Sequence, residues 1–175
     1  STIDGGGGTS TGGPMIGINY SVSGTIGQPD AGAALTNGQY SITGGFWAAL
    51  QETNAKATLE HVGERLEVEG WLGNFDLAAQ GLLPAGRRGR EFSDSEVYKY
   101  LEAMAWEIAR SDDPTIEQTY VDVVARVGAA QEADGYISTA FGKAGQPARW
   151  SDLEWGHELY CLGHLMQAAV ARLRT

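Results

Sequence analysis

The stretch Phe92-Ser-Asp-Ser-Glu96-Val-Tyr-Lys-Tyr-Leu101-Glu-Ala-Met-Ala-Trp106-Glu-Ile-Ala-Arg110-Ser-Asp-Asp113-Pro114-Thr-Ile116 holds two helix starts and one helix end. Ser93-Asp94-Ser95-Glu96 has the form of a capping box, in which the serine and glutamate side chains satisfy free amides at a helix start. Phe92 and Val97 are spaced to staple across it. Val97, Leu101, Met104, Ala105 and Ile108 then recur at helical spacing, an apolar stripe ending near Arg110 and Ser111. Asp113 is placed to cap the next helix, and Pro114 suits its first turn, where a missing N–H leaves no bond unmade. Ile116, Tyr120, Val123, Val124 and Val127 carry that helix's buried face to about Gln131. So short a connection makes the two helices antiparallel neighbours, and the fold class expected is mainly α.

A third helical pattern lies in Trp150-Ser-Asp-Leu-Glu-Trp155-Gly-His157-Glu158-Leu-Tyr160-Cys161-Leu-Gly-His164-Leu-Met166-Gln-Ala-Ala-Val170. His157, Cys161 and His164 share a face if the helix runs through them. A metal site is one reading, but His157-Glu158 is followed by Cys161 at the fourth position, so the zincin pattern is not present. A second reading makes Cys161 a small buried apolar side chain in a helix packing through Leu159, Leu162, Leu165, Met166 and Val170. In a third, favoured for His157, that residue lines a polar pocket where Trp150, Trp155 and Tyr160 stack on a flat-faced ligand such as a sugar.

Between these helices, Asp134-Gly135 reads as a turn, Tyr136 to Phe141 as extended chain, and Gly142 to Pro147 as a loop. Upstream, Trp71 to Gln80 is followed by Leu83-Pro84-Ala-Gly-Arg87-Arg88-Gly-Arg90, the densest positive charge in the chain; three arginines in four positions could bind an anion, but a solvated loop is the commoner arrangement and is the reading preferred. Gln51 to Glu69 reads as a short helix and then a strand-like Arg65-Leu-Glu-Val-Glu69. Residues 1–50 differ in kind: Asp4 and Asp30 are their only charged residues, and Gly, Ser and Thr abound. Tyr20-Ser-Val-Ser-Gly24 recurs as Tyr40-Ser-Ile-Thr-Gly44, two strands of one repeat. Gly5 to Gly8 reads as flexible, and Gln28 to Gly32 and Asn37-Gly38 as turns. The division expected is a Gly-rich β segment over 1–50 and a helical segment over 51–175.

The net charge of −10 over 175 residues and a pI near 4.6 argue against nucleic acid or an anionic membrane surface as partner, since phosphate recognition needs clustered Lys and Arg. A neutral carbohydrate fits better. No apolar run approaches the roughly twenty residues of a membrane span. A single cysteine excludes an internal disulfide and leaves the compartment open.

Three motifs in order, Arg90-Glu-Phe-Ser-Asp94-Ser-Glu-Val-Tyr98-Lys-Tyr-Leu-Glu102-Ala, Ala129-Ala-Gln-Glu-Ala-Asp134-Gly-Tyr136-Ile-Ser-Thr139, and His157-Glu158-Leu-Tyr160-Cys-Leu-Gly-His164-Leu-Met-Gln-Ala168, resemble the N-terminal part of glycoside hydrolase family 127, the β-L-arabinofuranosidases. The likeness runs from about Leu66 to Thr175. Residues 1–50 are similar to a Gly-rich β module of exported bacterial proteins, which favours an extracellular or periplasmic location. The family resemblance implies a partial (α/α)6 toroid of antiparallel helices around a pocket for a terminal furanose. It implies a substrate-contacting histidine at His157, with Tyr160, Glu158, Asp94 and Tyr98 in the same motifs as substrate-binding or supporting residues. It implies, too, a catalytic glutamate and a zinc-held cysteine nucleophile in a later part of the domain. Those positions are expected to be absent here, so no cofactor or metal is expected in this chain, and Cys161 is not the nucleophile.

The function expected is therefore that of a truncated or fused relative carrying part of a sugar pocket, without the catalytic pair. Glu102 and Glu158 are carboxylates by composition only, and glycoside hydrolysis needs two at a set separation. The alternative is a non-catalytic structural or oligomeric interaction protein, since helices taken from a toroid expose apolar faces and self-associate.

Overall fold

The computed structural model describes the backbone of residues 21–23, 35–37, 40–43 and 46–175, and side chains from residue 49 onward. The Gly5–Gly8 and Gln28–Gly32 readings lie outside the described residues, as does Gly38 of the Asn37-Gly38 turn. The chain divides into two units, Ser1–Thr58 and Leu59–Thr175.

In the first unit β1 (Ser21–Ser23), β2 (Leu35–Asn37) and β3 (Tyr40–Thr43) form a sheet in the order β1-β3-β2. The two copies of the repeat lie side by side and parallel, with Ser21 opposite Ser41, Val22 opposite Ile42 and Ser23 opposite Thr43. β2 completes the sheet antiparallel to β3. α1 (Phe46–Thr53) follows and passes into a π-helical turn, Asn54–Thr58.

The second unit contains α2 (Leu59–Val68), α3 (Trp71–Ala79), α4 (Ser93–Ser111), α5 (Pro114–Ala129) and α6 (Glu158–Arg174). The strand-like reading of Arg65 to Glu69 is corrected: the segment is the end of α2. Leu59 and Leu66 are buried seven residues apart with Val62 between them, whereas Val68 is exposed, so burial follows the helical and not the alternating period. Arg65 and Glu69 pair one turn apart on the outer side.

α4 is the centre of the core. Val97, Leu101, Met104, Ala105 and Ile108 are buried as its stripe requires, and Tyr98 and Tyr100 widen the apolar face. The capping box does not form. The Ser93 hydroxyl instead accepts from Arg87 Nη2 at 3.1 Å, the Ser95 hydroxyl donates to Phe92 O at 2.8 Å, and Glu96 pairs with Lys99 at 2.7 Å. The tertiary partner Arg87 outcompetes the local cap.

α5 starts as its sequence dictates, with the Asp113 carboxylate accepting from Thr115 N at 2.8 Å and Pro114 in the first turn. Tyr120, Val123 and Val127 are buried, but Val124 is exposed, a correction that narrows the buried face. Arg126 crosses from α5 to Asp76 on α3, 2.6 Å away, and to Glu67 on α2.

Helix direction follows from side-chain contacts at the two ends. Cys161 Sγ, at the start of α6, lies 3.9 Å from Phe92 O at the start of α4. Arg172, near the end of α6, reaches Glu117 at 2.5 Å and lies over the Tyr120 ring at 5.1 Å, both in the first half of α5. α4 and α6 therefore run the same way, and α5 returns antiparallel to them.

The histidine helix begins later than Trp150. Residues 150–157 form turns, and α6 starts at Glu158. Its packing face is also not the one expected: Cys161, Ala168 and Ala171 are buried and Leu165 packs on the core, whereas Leu159, Met166 and Val170 are exposed, together with Leu173. Small residues on the inner side let α6 approach α4 closely, which turns the larger side chains outward.

Candidate functional site

The shared starting end of α4 and α6 is roofed by the segment 131–157, and the two helices and the segment enclose a cavity of about 310 Å³. Its lining includes Glu91, Tyr98, Asp134, Tyr136, Ile137, Arg149, Trp150, Glu158, Cys161 and Leu165. That volume is at the lower end of small-molecule pockets, roughly 300–1,000 Å³. Three lining carboxylates face one guanidinium, and that guanidinium is already paired, so the site favours neutral over anionic ligands.

The roof is held by side chains, since no strand forms in it. The extended reading of Tyr136 to Phe141 is corrected to irregular chain. The expected turn at Asp134-Gly135 is present, with Gly135 at φ 90° and Tyr136 N donating to Asp134 Oδ1 at 3.2 Å. Arg149 binds Asp134 at 2.5 Å and Glu132 at 2.6 Å, and Lys143 reaches Glu132 at 2.7 Å. The Arg149 guanidinium lies over the Tyr136 ring, 4.1 Å from its centroid. Lys143 and Arg149 together hold the Glu132 carboxyl below its ordinary range.

Glu158 opens α6 and is almost wholly buried. One carboxylate oxygen accepts from the Tyr136 hydroxyl, and the other accepts from Trp150 N at 2.6 Å. Burial and that carboxylate push the Tyr136 phenol well above its ordinary pKa. The Tyr136 and Trp150 rings meet edge to face at 5.5 Å. Trp150 has φ 59°, a left-handed conformation that bulky residues rarely adopt.

Asp94 anchors the roof to α4. Its carboxylate accepts from Thr139 N at 2.8 Å and Thr139 Oγ1 at 2.5 Å, and Arg87 Nη2 stands 3.9 Å away. Burial raises its pKa against the lowering effect of Thr139 and Arg87. Arg87 also donates to Thr139 O at 2.9 Å, Gly89 O at 3.0 Å and Arg90 O at 3.0 Å. The solvated-loop reading of the arginine cluster is thus corrected for Arg87, whose side chain is only 13% exposed. Arg88 is fixed through its backbone, which exchanges two hydrogen bonds with the buried Asn74 side chain at 2.8 and 2.9 Å.

His157 stands at the rim, outside the cavity lining, with φ 59°. Its Nδ1 bonds Trp155 O and lies 3.6 Å from Glu91 Oε1, a residue of the lining. A carbonyl only accepts, so Nδ1 carries a hydrogen. The imidazole meets Phe92 at 5.5 Å and Tyr160 at 5.8 Å, and Tyr160 in turn meets His164 at 4.6 Å. Tyr160 is partly exposed beneath Lys99 Nζ, 5.2 Å from its centroid. Of the five residues nominated from sequence, Tyr98 and Glu158 line the cavity, His157 and Tyr160 form an aromatic strip beside it, and Asp94 lies beneath its roof. Trp155 is exposed, separated from Trp150 by the turns before α6.

Cys161 is buried and its thiol is pushed up to about 12 by desolvation and the Asp94 charge, which suits neither a thiolate nucleophile nor a zinc ligand. Among the described residues no three His, Cys, Asp or Glu side chains converge as metal ligands. Glu102 is not part of the cavity lining.

Arg87, Thr139 and Arg149 were not marked out by the sequence reading. The signal available for Arg87 was the Gly86-Arg87-Arg88-Gly89 spacing, which suits a fixed turn; in the structure both glycines have positive φ, 77° and 79°.

The sequence profile of the β-L-arabinofuranosidase GH127 catalytic domain matches residues 40–175. The chain is 38% identical over 105 residues to the non-reducing end β-L-arabinofuranosidase of Bifidobacterium longum subsp. longum, an alignment covering 56% of this chain and 15% of that protein. It superposes on the crystal structure of a GH127 β-L-arabinofuranosidase from Geobacillus stearothermophilus T6 with a TM-score of 0.69 and 34% identity, over 74% of this chain and 21% of that one. A second GH127 β-arabinofuranosidase gives 0.67 and 28% over 74% and 22%. The chain thus spans between about a seventh and a fifth of the length of these relatives, and its parallel and antiparallel helices are those of a partial (α/α)6 toroid. The chain belongs to the GH127 family of β-L-arabinofuranosidases.

Proposed function

We propose that this chain forms one wall of a furanoside pocket of the β-L-arabinofuranosidase type, and that alone it binds sugar without cleaving it. The cavity at the common start of α4 and α6, in a chain of this family, carries the reading. His157 Nε2 accepts a hydrogen bond from a sugar hydroxyl at the rim, and Tyr160 supplies a ring face beside it. Tyr98 forms the floor, while Asp94 and Glu158 keep the roof in place. The wall works without a metal of its own, and the catalytic glutamate and zinc-held cysteine belong to the larger share of the family domain that this chain does not span.

The test is a tryptophan-fluorescence titration of the pure chain with L-arabinose. Binding at about millimolar affinity, lost in His157→Ala and kept in Glu102→Gln, which lies outside the lining, is the expected result. A wild-type chain that shows no saturable change overturns the sugar reading. Turnover of 4-nitrophenyl β-L-arabinofuranoside that disappears in His157→Ala overturns the claim that no cleavage occurs.

A second reading, a self-associating interaction module, rests on the exposed row Leu159, Met166, Val170 and Leu173 along α6. These residues fall on one side of the helix, an apolar stripe of the kind that marks an interface. Light scattering of the 175-residue chain is expected to show a dimer or larger species that reverts to monomer in Met166→Glu/Val170→Glu. A monomeric wild type refutes it.

A further inference from the structure

We propose that Glu158 is a positioning residue that builds the aromatic wall of the cavity from Tyr136 and Trp150, the wall on which the apolar face of a neutral pentofuranose stacks. The inference rests on the furanoside reading above and deepens it, since it says which surface meets the ring and what holds it. The sequence alone places Glu158 among groups that could touch a sugar. The geometry assigns its two oxygens elsewhere: one accepts from the Tyr136 hydroxyl and the other from Trp150 N at 2.6 Å, in a carboxylate only 7% exposed.

Each bond fixes something that local sequence does not. Tyr136 and Trp150 belong to irregular chain, where no helix or sheet ladder sets the direction of a ring. Trp150 adopts φ 59°, which for tryptophan persists only where the surroundings over-determine it, and the bond from its amide to Glu158 is such a constraint. Glu158 is itself the first residue of α6, so the wall is referred to a rigid element. The Arg149 guanidinium, clamped by Glu132 and Asp134, covers the Tyr136 ring at 4.1 Å. The edge-to-face contact at 5.5 Å then makes the two rings one unit.

The chemistry of the bonds distinguishes positioning from sugar contact. In Glu158→Gln the amide oxygen still accepts from Trp150 N, and the amide nitrogen donates to the Tyr136 oxygen once that hydroxyl turns. The lock survives with one bond reversed. In Glu158→Ala both bonds are lost. A carboxylate needed for its charge, whether against a sugar hydroxyl or as an acid/base, is lost in both variants alike.

The experiment compares wild type, Glu158→Gln and Glu158→Ala by near-UV circular dichroism without sugar and by fluorescence titration with L-arabinose, with Trp150→Phe identifying the Trp150 contribution to the near-UV spectrum. Far-UV spectra check that the helices remain. The expected result is that Glu158→Ala loses the Trp150 band and binds L-arabinose roughly tenfold more weakly, while Glu158→Gln keeps both. Persistence of the band in Glu158→Ala overturns the lock. Weak binding in Glu158→Gln with the band intact overturns positioning in favour of direct contact. If wild type binds no L-arabinose, the furanoside reading fails, and the band comparison still decides whether Glu158 orders the wall.

Discussion

Removing the Asp94 carboxylate should cost this unit more than any other single polar truncation in α4. Asp94 is 2% exposed and Thr139 is fully buried, and the carboxylate accepts both the amide and the hydroxyl of Thr139, at 2.8 and 2.5 Å. Asp94→Ala leaves those two buried donors without that acceptor, at about 1–3 kcal/mol each. It also takes from Arg87 the carboxylate 3.9 Å away. The total is about 3–5 kcal/mol, the range for breaking a buried pair from one side. Asp94→Asn keeps one acceptor for the Thr139 amide, and its own amide can donate to the hydroxyl, so its cost is about 1–2 kcal/mol. Urea unfolding followed at 222 nm measures both. With a slope of about 2 kcal/mol/M, the alanine variant shifts the midpoint down by roughly 2 M. Thr139→Val combined with Asp94→Ala should then cost clearly less than the sum of the two singles, because they break one network. An alanine variant within about 0.5 kcal/mol of wild type refutes the argument.

Two further outcomes follow from the same site. Cys161, with a thiol pushed up to about 12, should resist iodoacetamide in the native chain at mildly alkaline pH and react promptly in denaturant; rapid native labelling contradicts its placement. Glu132, held below its ordinary 4.5 by Lys143 and Arg149, contributes stability that is present above that value and lost as pH falls through the depressed one. Thermal melts should therefore show wild type above Glu132→Gln near neutrality, with the gap closing in acid; a gap of constant size across the acid range counts against it.

The two helices α4 and α5 were legible because their buried residues repeat at the helical period and because Asp113-Pro114 is a local signal that needs no distant partner. The β repeat was legible as well, and its two copies pair in the register their alignment suggests. Legibility failed where a distant residue decided the outcome. Ser93 gave up its cap to Arg87, and Arg87 is buried because Thr139, fifty-two residues away, accepts from it. Trp150 to His157 carries aromatic residues at helical spacing, yet Glu158 draws the Trp150 amide to itself and the chain turns. Cys161 was read correctly because a lone cysteine among apolar residues packs as a small apolar group, whereas Leu159, Met166, Val170 and Leu173 face outward while Cys161, Ala168 and Ala171, with Leu165, fill the inner side of α6. Of the candidate site, the residue types and their neighbourhood were visible in the motifs. Which of them line the cavity and which only brace it depends on the roof, whose bonds leave no periodic trace.

Trp150 and His157 share an uncommon backbone, left-handed at φ 59° in residues that are not glycine. Such a conformation costs roughly 1–2 kcal/mol that glycine avoids. Selection for thermal resistance alone should therefore enrich glycine at both positions, at the expense of the Trp150 ring in the cavity lining and the His157 ring at its rim. In this protein the route to a more durable backbone and the route to a fully lined cavity diverge at two turns of one loop.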